Sequence, residues 1–87
     1  MNASGQRKHS VTIRGHATSY TLEDAFFAMI EQIAHEQGRS VAALVAEVDR
    51  KRDRATNLSS ALRLHVLDWM KAQMITAEVP ARSSETH

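Results

Sequence analysis

From His9 to Leu22 the chain alternates apolar and polar side chains. Val11 and Ile13 are interleaved with Ser10, Thr12 and Arg14, and Tyr20 and Leu22 with Ser19 and Thr21. This period of two is that of a strand with one apolar face. The apolar parity changes from odd to even near Gly15. Either one extra residue bulges the strand there, which Gly tolerates well, or a tight turn at Gly15-His16 folds the segment into its own hairpin. A lone hairpin is only marginally stable in water, and an unpaired strand leaves backbone groups without partners. No later segment reads as a strand, so the pattern predicts one β-strand per chain, paired with the same segment of a second copy in a two-fold homodimer.

The period then lengthens. Thr21 stands where it can cap a first helix, with Glu23 and Asp24 in a turn that favours negative charge. Leu22, Phe26, Met29, Ile30 and Ile33 fall on one face of that helix, and Gly38 is placed to end it. Ser40 is a good N-cap for a second helix, Val41 to about Arg52, with Val41, Leu44, Val45 and Val48 as its stripe. Thr56 or Asn57 can cap a third helix from Leu58 to about Met74. Leu58, Leu62, Val66 and Trp69 or Met70 recur at helical spacing, and Ala61, Leu64, Leu67 and Met74 widen the apolar area. Such a helix has to pack on the first two or across a dimer. The expected organisation is a flexible arm over 1–8, one domain over 9–74 and a flexible tail over 75–87, which contains Pro80 and a Ser-rich end.

Eighty-seven residues make a single small domain, close to the size at which one core becomes marginal. The chain has no Cys, which excludes disulfides and thiolate metal sites. It has no leader-like start and no apolar run near the roughly 20 residues of a membrane span, so a cytoplasmic protein without a membrane partner is expected. Net charge is only +1, but Arg7, Lys8 and Arg14 precede Glu23 with no acid among them. A basic ribbon on a near-neutral body suits contact with a polyanion. The run Arg50-Lys51-Arg52-Asp53-Arg54 complements a helix C-terminus.

The segments SVTIRGHATSYTLEDAFFAMIEQIAHEQGRSVAALVAEVD and NLSSALRLHVLDWM resemble a small bacterial family of ribbon-helix-helix domains that carries RGHxTS in its strand and NLSSALR in an added helix. The resemblance spans Ser10 to about Met70. It implies a mainly α fold, ribbon-helix-helix with an added third helix, as an intertwined homodimer whose antiparallel β-ribbon enters the DNA major groove. It also implies a backbone phosphate held at the start of the second helix. Elementary chemistry agrees, because the N–H groups near Ser40 and Val41 point out of a positive helix end, with Arg39 beside them. Lys8 is a further phosphate candidate.

Within the ribbon, Arg14 has the sharpest possible role, since a guanidinium can bind guanine O6 and N7 through two parallel hydrogen bonds. Thr12, His16 and Ser19 are further candidates to read or position bases. His9, His16, His35, His65 and His87 show no paired ligand spacing, so no metal is expected and no cofactor. Glu47 and Asp49 lie two apart, on different helix faces, and Ser59, Ser60 and His65 have no orienting acid, so the chain does not read as an enzyme. Two other functions fit the same residues. The weak net charge and the uncharged Ala17 favour a dimeric protein-interaction module, antitoxin-like or adaptor-like, using the third helix. A small-ligand sensor with a pocket near Gly15-His16 is the third.

Overall fold

The computed structural model describes residues 5–85, with side chains over 5–75. Strands β1 (Gln6–Ile13) and β2 (His16–Glu23) form an antiparallel hairpin, followed by helices α1 (Asp24–Glu36), α2 (Val41–Lys51) and α3 (Leu58–Glu85). The sequence pattern points to one strand per chain, and this is corrected: the chain contains two, and β1 finds its partner in β2 of the same molecule. The cause is the two-residue connection Arg14-Gly15, with φ of 53° and 80°. Positive φ at both central residues gives the turn whose twist matches that of paired strands. The turn sits one residue before the Gly15-His16 alternative, and there is no bulge. Because the register runs from Gln6 opposite Glu23 to Ile13 opposite His16, odd positions of β1 face even positions of β2. That pairing accounts for the change of apolar parity.

A hairpin alone is weak, and this one is not alone. Val11, Ile13, Tyr20 and Leu22 on its inner face join Ile30, Ile33 and Ala34 of α1, Leu44, Val45 and Val48 of α2, and Ala61, Leu62 and Val66 of α3 in a single core. His9 lies between two aromatic rings, 4.0 Å from Phe27 and 5.3 Å from Tyr20 between centroids. The outer edge of β2 is clamped by α3. Ser59 Oγ accepts from the Thr21 amide at 3.2 Å and donates to the Thr21 carbonyl at 2.6 Å. Arg63 grips Glu23 through two bonds of 2.9 and 3.0 Å. Arg7 meets Asp24 at 3.0 and 3.2 Å.

These contacts explain the remaining differences from the sequence reading. Thr21 does not cap α1, because it pairs with Lys8 in the hairpin; Glu23 holds the N-cap position without a side-chain cap bond. Leu22, assigned by its period to the first helix face, is instead the last buried residue of β2. Gln6, Arg7 and Lys8 stand in β1 instead of a flexible arm, since Gln6 and Arg7 are tied to the far end of β2 and the start of α1. The expected arm over 1–4 and the last two residues of the expected tail lie outside the described residues. Helix α3 runs on to Glu85, where a tail from residue 75 is expected from Pro80 and the Ser-rich end. Once packing nucleates a helix, each added residue that carries an N–H brings one more backbone bond, and Pro80, which has none, forgoes only its own.

The helix ends follow local chemistry. Gly38, at φ 69°, supplies the left-handed residue after α1, with Gly38 N–H on the His35 carbonyl and Arg39 N–H on the Ala34 carbonyl. Ser40 Oγ accepts from Ala43 N–H at 3.0 Å, and Asn57 Oδ1 accepts from Ser60 N–H at 2.8 Å.

Candidate nucleic-acid interface

The alternation that buries one face of the hairpin exposes the other. Lys8, Ser10 and Thr12 of β1 and Ala17, Ser19 and Thr21 of β2 all point away from the core and are exposed. Across the ladder, Ser10 faces Ser19, Thr12 faces Ala17 and Lys8 faces Thr21. The surface is small, polar and without a carboxylate until Glu23, whose charge is spent on Arg63 and Gln6. The Arg63 guanidinium, then the local backbone, hold the Glu23 carboxyl down to about 2. Arg7 is likewise neutralised by Asp24. Among the described residues Lys8 and Arg14 have no ion-pair partner.

Thr12 and Ser19 therefore share the outer face, and Arg14 stands at the hairpin tip. His16 is separated from Thr12 and Ser19, though not from Arg14. Paired with Ile13, it faces the helix side and lines, with Arg14, Thr18, Asp49 and Arg52, an open recess of about 280 Å³. That volume lies just below the usual range of small-molecule sites. Ser10 and Thr21 belong to the outer face as well; the signal for them was the same alternation that picks out Thr12 and Ser19.

The start of α2 adjoins this surface. With Ala43 N–H capped and Leu44 N–H on the Ser40 carbonyl, the Val41 and Ala42 amides remain free at the positive helix end. Val41 and Ala42 line one open groove of about 510 Å³ together with Ser10, Thr12 and Ala17 of the hairpin, over a floor that includes Phe27 and Val11. The structure thus brings together Val41 and Thr12, with Ser40 next to Val41 in the chain, whereas Lys8 lies further along β1 and does not line this groove. It places Arg39 elsewhere: its guanidinium pairs with Glu47 and Gln37. Lys51 first, then Arg39, lower the Glu47 carboxyl to about 2.

A two-stranded ribbon leading straight into two short helices joined by Gly-Arg-Ser, with a third helix clamping the ribbon edge, defines a ribbon-helix-helix class of fold. A family model described as a ribbon-helix-helix domain matches residues 6–70, from the start of β1 well into α3. The chain belongs to that family, whose members are in general DNA-binding regulators or antitoxin modules without enzymatic activity. No curated protein and no solved structure matches the chain. Among the described residues no helix is long and apolar enough to cross a membrane, and no cluster of three His, Cys, Asp or Glu is placed to hold a metal.

Proposed function

We propose that this protein is a sequence-specific DNA-binding regulator, a homodimer of the bacterial cytoplasm, in which each chain reads the major groove with its own hairpin. The groove is about 12 Å wide and admits a two-stranded ribbon. Two strands about 4.8 Å apart fit it, whereas four strands joined along their β1 edges would span about 15 Å of backbone. The reading unit is therefore the hairpin of one chain. Thr12 and Ser19, with Ser10 and Thr21, meet base edges from its outer face, and Arg14 reaches ahead from the tip, with His16 behind it. Lys8 and the free amides of Val41 and Ala42, beside the Ser40 cap, hold phosphates and set the register; Arg39 contributes by keeping Glu47 away from that anion. The observation that carries this reading is the shared groove: the unengaged polar face of the ribbon opens onto the free amides of α2.

The test is selection of duplexes from a random pool by the purified chain at low salt. Retained duplexes should share a short motif, Thr12→Ala and Ser19→Ala should alter the preferred bases, and Lys8→Ala should weaken all duplexes alike with a shallower salt slope. No retained duplex at low salt would refute it. A second reading, a protein-interaction module, is favoured by one feature, the exposed apolar side chains of α3. It predicts co-purification of a different protein and no DNA retention.

A further inference from the structure

Every large exposed apolar side chain among the described residues lies on α3: Leu64, Leu67, Met70, Met74 and Ile75, each between 45% and 67% exposed. At 100° per residue they form one stripe with Lys71 in its middle, on the side of α3 opposite Leu62 and Val66, which are buried in the core. We propose that this stripe binds the same stripe of a second copy, with the two α3 helices antiparallel and the two-fold axis passing near Trp69. The proposal rests on the DNA-binding reading above only for its consequence at the operator.

The occupant is argued from the charge pattern and the area. An antiparallel pairing about residue 69 sets Leu64 against Met74 of the second copy and Leu67 against the stem of Lys71. It also brings each Lys71 ammonium within one residue's rise, about 1.5 Å along the axis, of the Asp68 carboxylate across the pair. Both are exposed in the single chain, and neither has an ion-pair partner among the described residues. A parallel pairing would set Lys71 against Lys71. The five side chains present on the order of 500 Å² per copy, so two copies bury about 1,000 Å², the lower bound for a specific interface.

The pairing has a geometric consequence. Ser59 and Arg63, which hold β2, lie on one flank of the stripe, and Asp68 and His65, which line a groove shared with α2, lie on the other. A two-fold axis perpendicular to both helices leaves like flanks on the same side, so both hairpins project from one face of the dimer. Ser59 is ten residues from the axis, which separates the two hairpin anchors by about 30 Å. One turn of B-DNA is about 34–36 Å. Helix α3 thus becomes the ruler that sets two ribbons one turn apart.

The chain has no Cys, so an introduced thiol is the only one present. Under mild oxidation, Leu64→Cys alone and Met74→Cys alone should stay uncrosslinked, and an equimolar mixture should yield the mixed disulfide dimer. Leu67→Lys, which sets a second ammonium against Lys71 across the pair, should weaken self-association at least tenfold in sedimentation while leaving the far-ultraviolet spectrum unchanged. Selected duplexes should carry half-sites about 10 base pairs apart, and five inserted base pairs should cut affinity at least tenfold. Self-crosslinking of either single variant, a dimer that survives Leu67→Lys, or a wild-type monomer at its highest soluble concentration overturns the pairing; the last outcome assigns the stripe to a different protein. Crosslinking without any retained duplex upholds the pairing and overturns the DNA reading instead.

Discussion

Replacing Arg14 by Asn should make the protein more stable and less able to bind DNA. Arg14 has φ 53° at the first central position of the β1–β2 turn, a left-handed backbone that a Cβ-bearing residue adopts at a cost of about 1–2 kcal/mol. Asn tolerates that conformation far better, and Asn-Gly is the preferred pair for such a turn. The side chain is exposed and has no ion-pair partner among the described residues, so its removal costs the fold little. Arg14→Asn should therefore gain about 1 kcal/mol, or roughly 4–8 °C in Tm for a domain of this size. If the guanidinium grips a guanine from the tip, its loss should cost about 1–3 kcal/mol of discrimination, some 5- to 150-fold in affinity for the preferred duplex. Thermal denaturation and fluorescence anisotropy on the selected duplex measure the two effects side by side. Arg14→Lys separates strain from recognition, because it keeps the charge and the left-handed cost but loses the planar fork. A variant Arg14→Asn that is less stable would refute the strain argument. One that binds with unchanged affinity and sequence preference would remove Arg14 from the interface.

Two further outcomes follow from the way the hairpin and helices are fastened. Ser59→Ala removes both bonds to Thr21 and should cost about 1 kcal/mol, with faster hydrogen exchange of the Thr21 amide; unchanged exchange there would mean that α3 does not hold the edge of β2. Stability should also decline on acidification. Glu23 and Glu47 ionise at about 2 in the folded chain against an ordinary 4.5. Their depressed values give stability that is complete above about pH 4.5 and lost as pH falls toward 2. His65, kept below its usual 6.5 chiefly by burial, starts the decline earlier, because the unfolded chain takes up that proton first. Urea midpoints between pH 7 and pH 2 follow this, and Arg63→Met should flatten the part due to Glu23.

The three helices were legible because their signals are local. Gly38 needs only its own backbone freedom, Ser40 and Asn57 reach amides three residues on, and the stripes of α2 and α3 repeat at the helical period. The polar face of the ribbon was legible for the same reason: in a strand, side-chain direction alternates whatever the partner. Thr12 and Ser19 were found by that rule, and Ser10 and Thr21 obey it too.

What only the tertiary structure decided is which chain segments meet. A strand with free backbone groups states that it needs a partner and does not say which. Here the positive φ of Arg14-Gly15 closes the hairpin within one molecule, and the cover of α1, α2 and α3 over Val11, Ile13, Tyr20 and Leu22 stabilises it. The same holds for His16, which the Ile13 pairing turns toward the helices, and for Arg39, drawn to Glu47 about two helix turns away. It holds for α3 as well. Its sequence is apolar on nearly every side, and only the placement of Leu62 and Val66 in the core shows which face is left over at Leu64, Leu67 and Met74. Periodicity is a property of the chain with itself over a few residues; partners and orientation are set by distant side chains competing for the same surface.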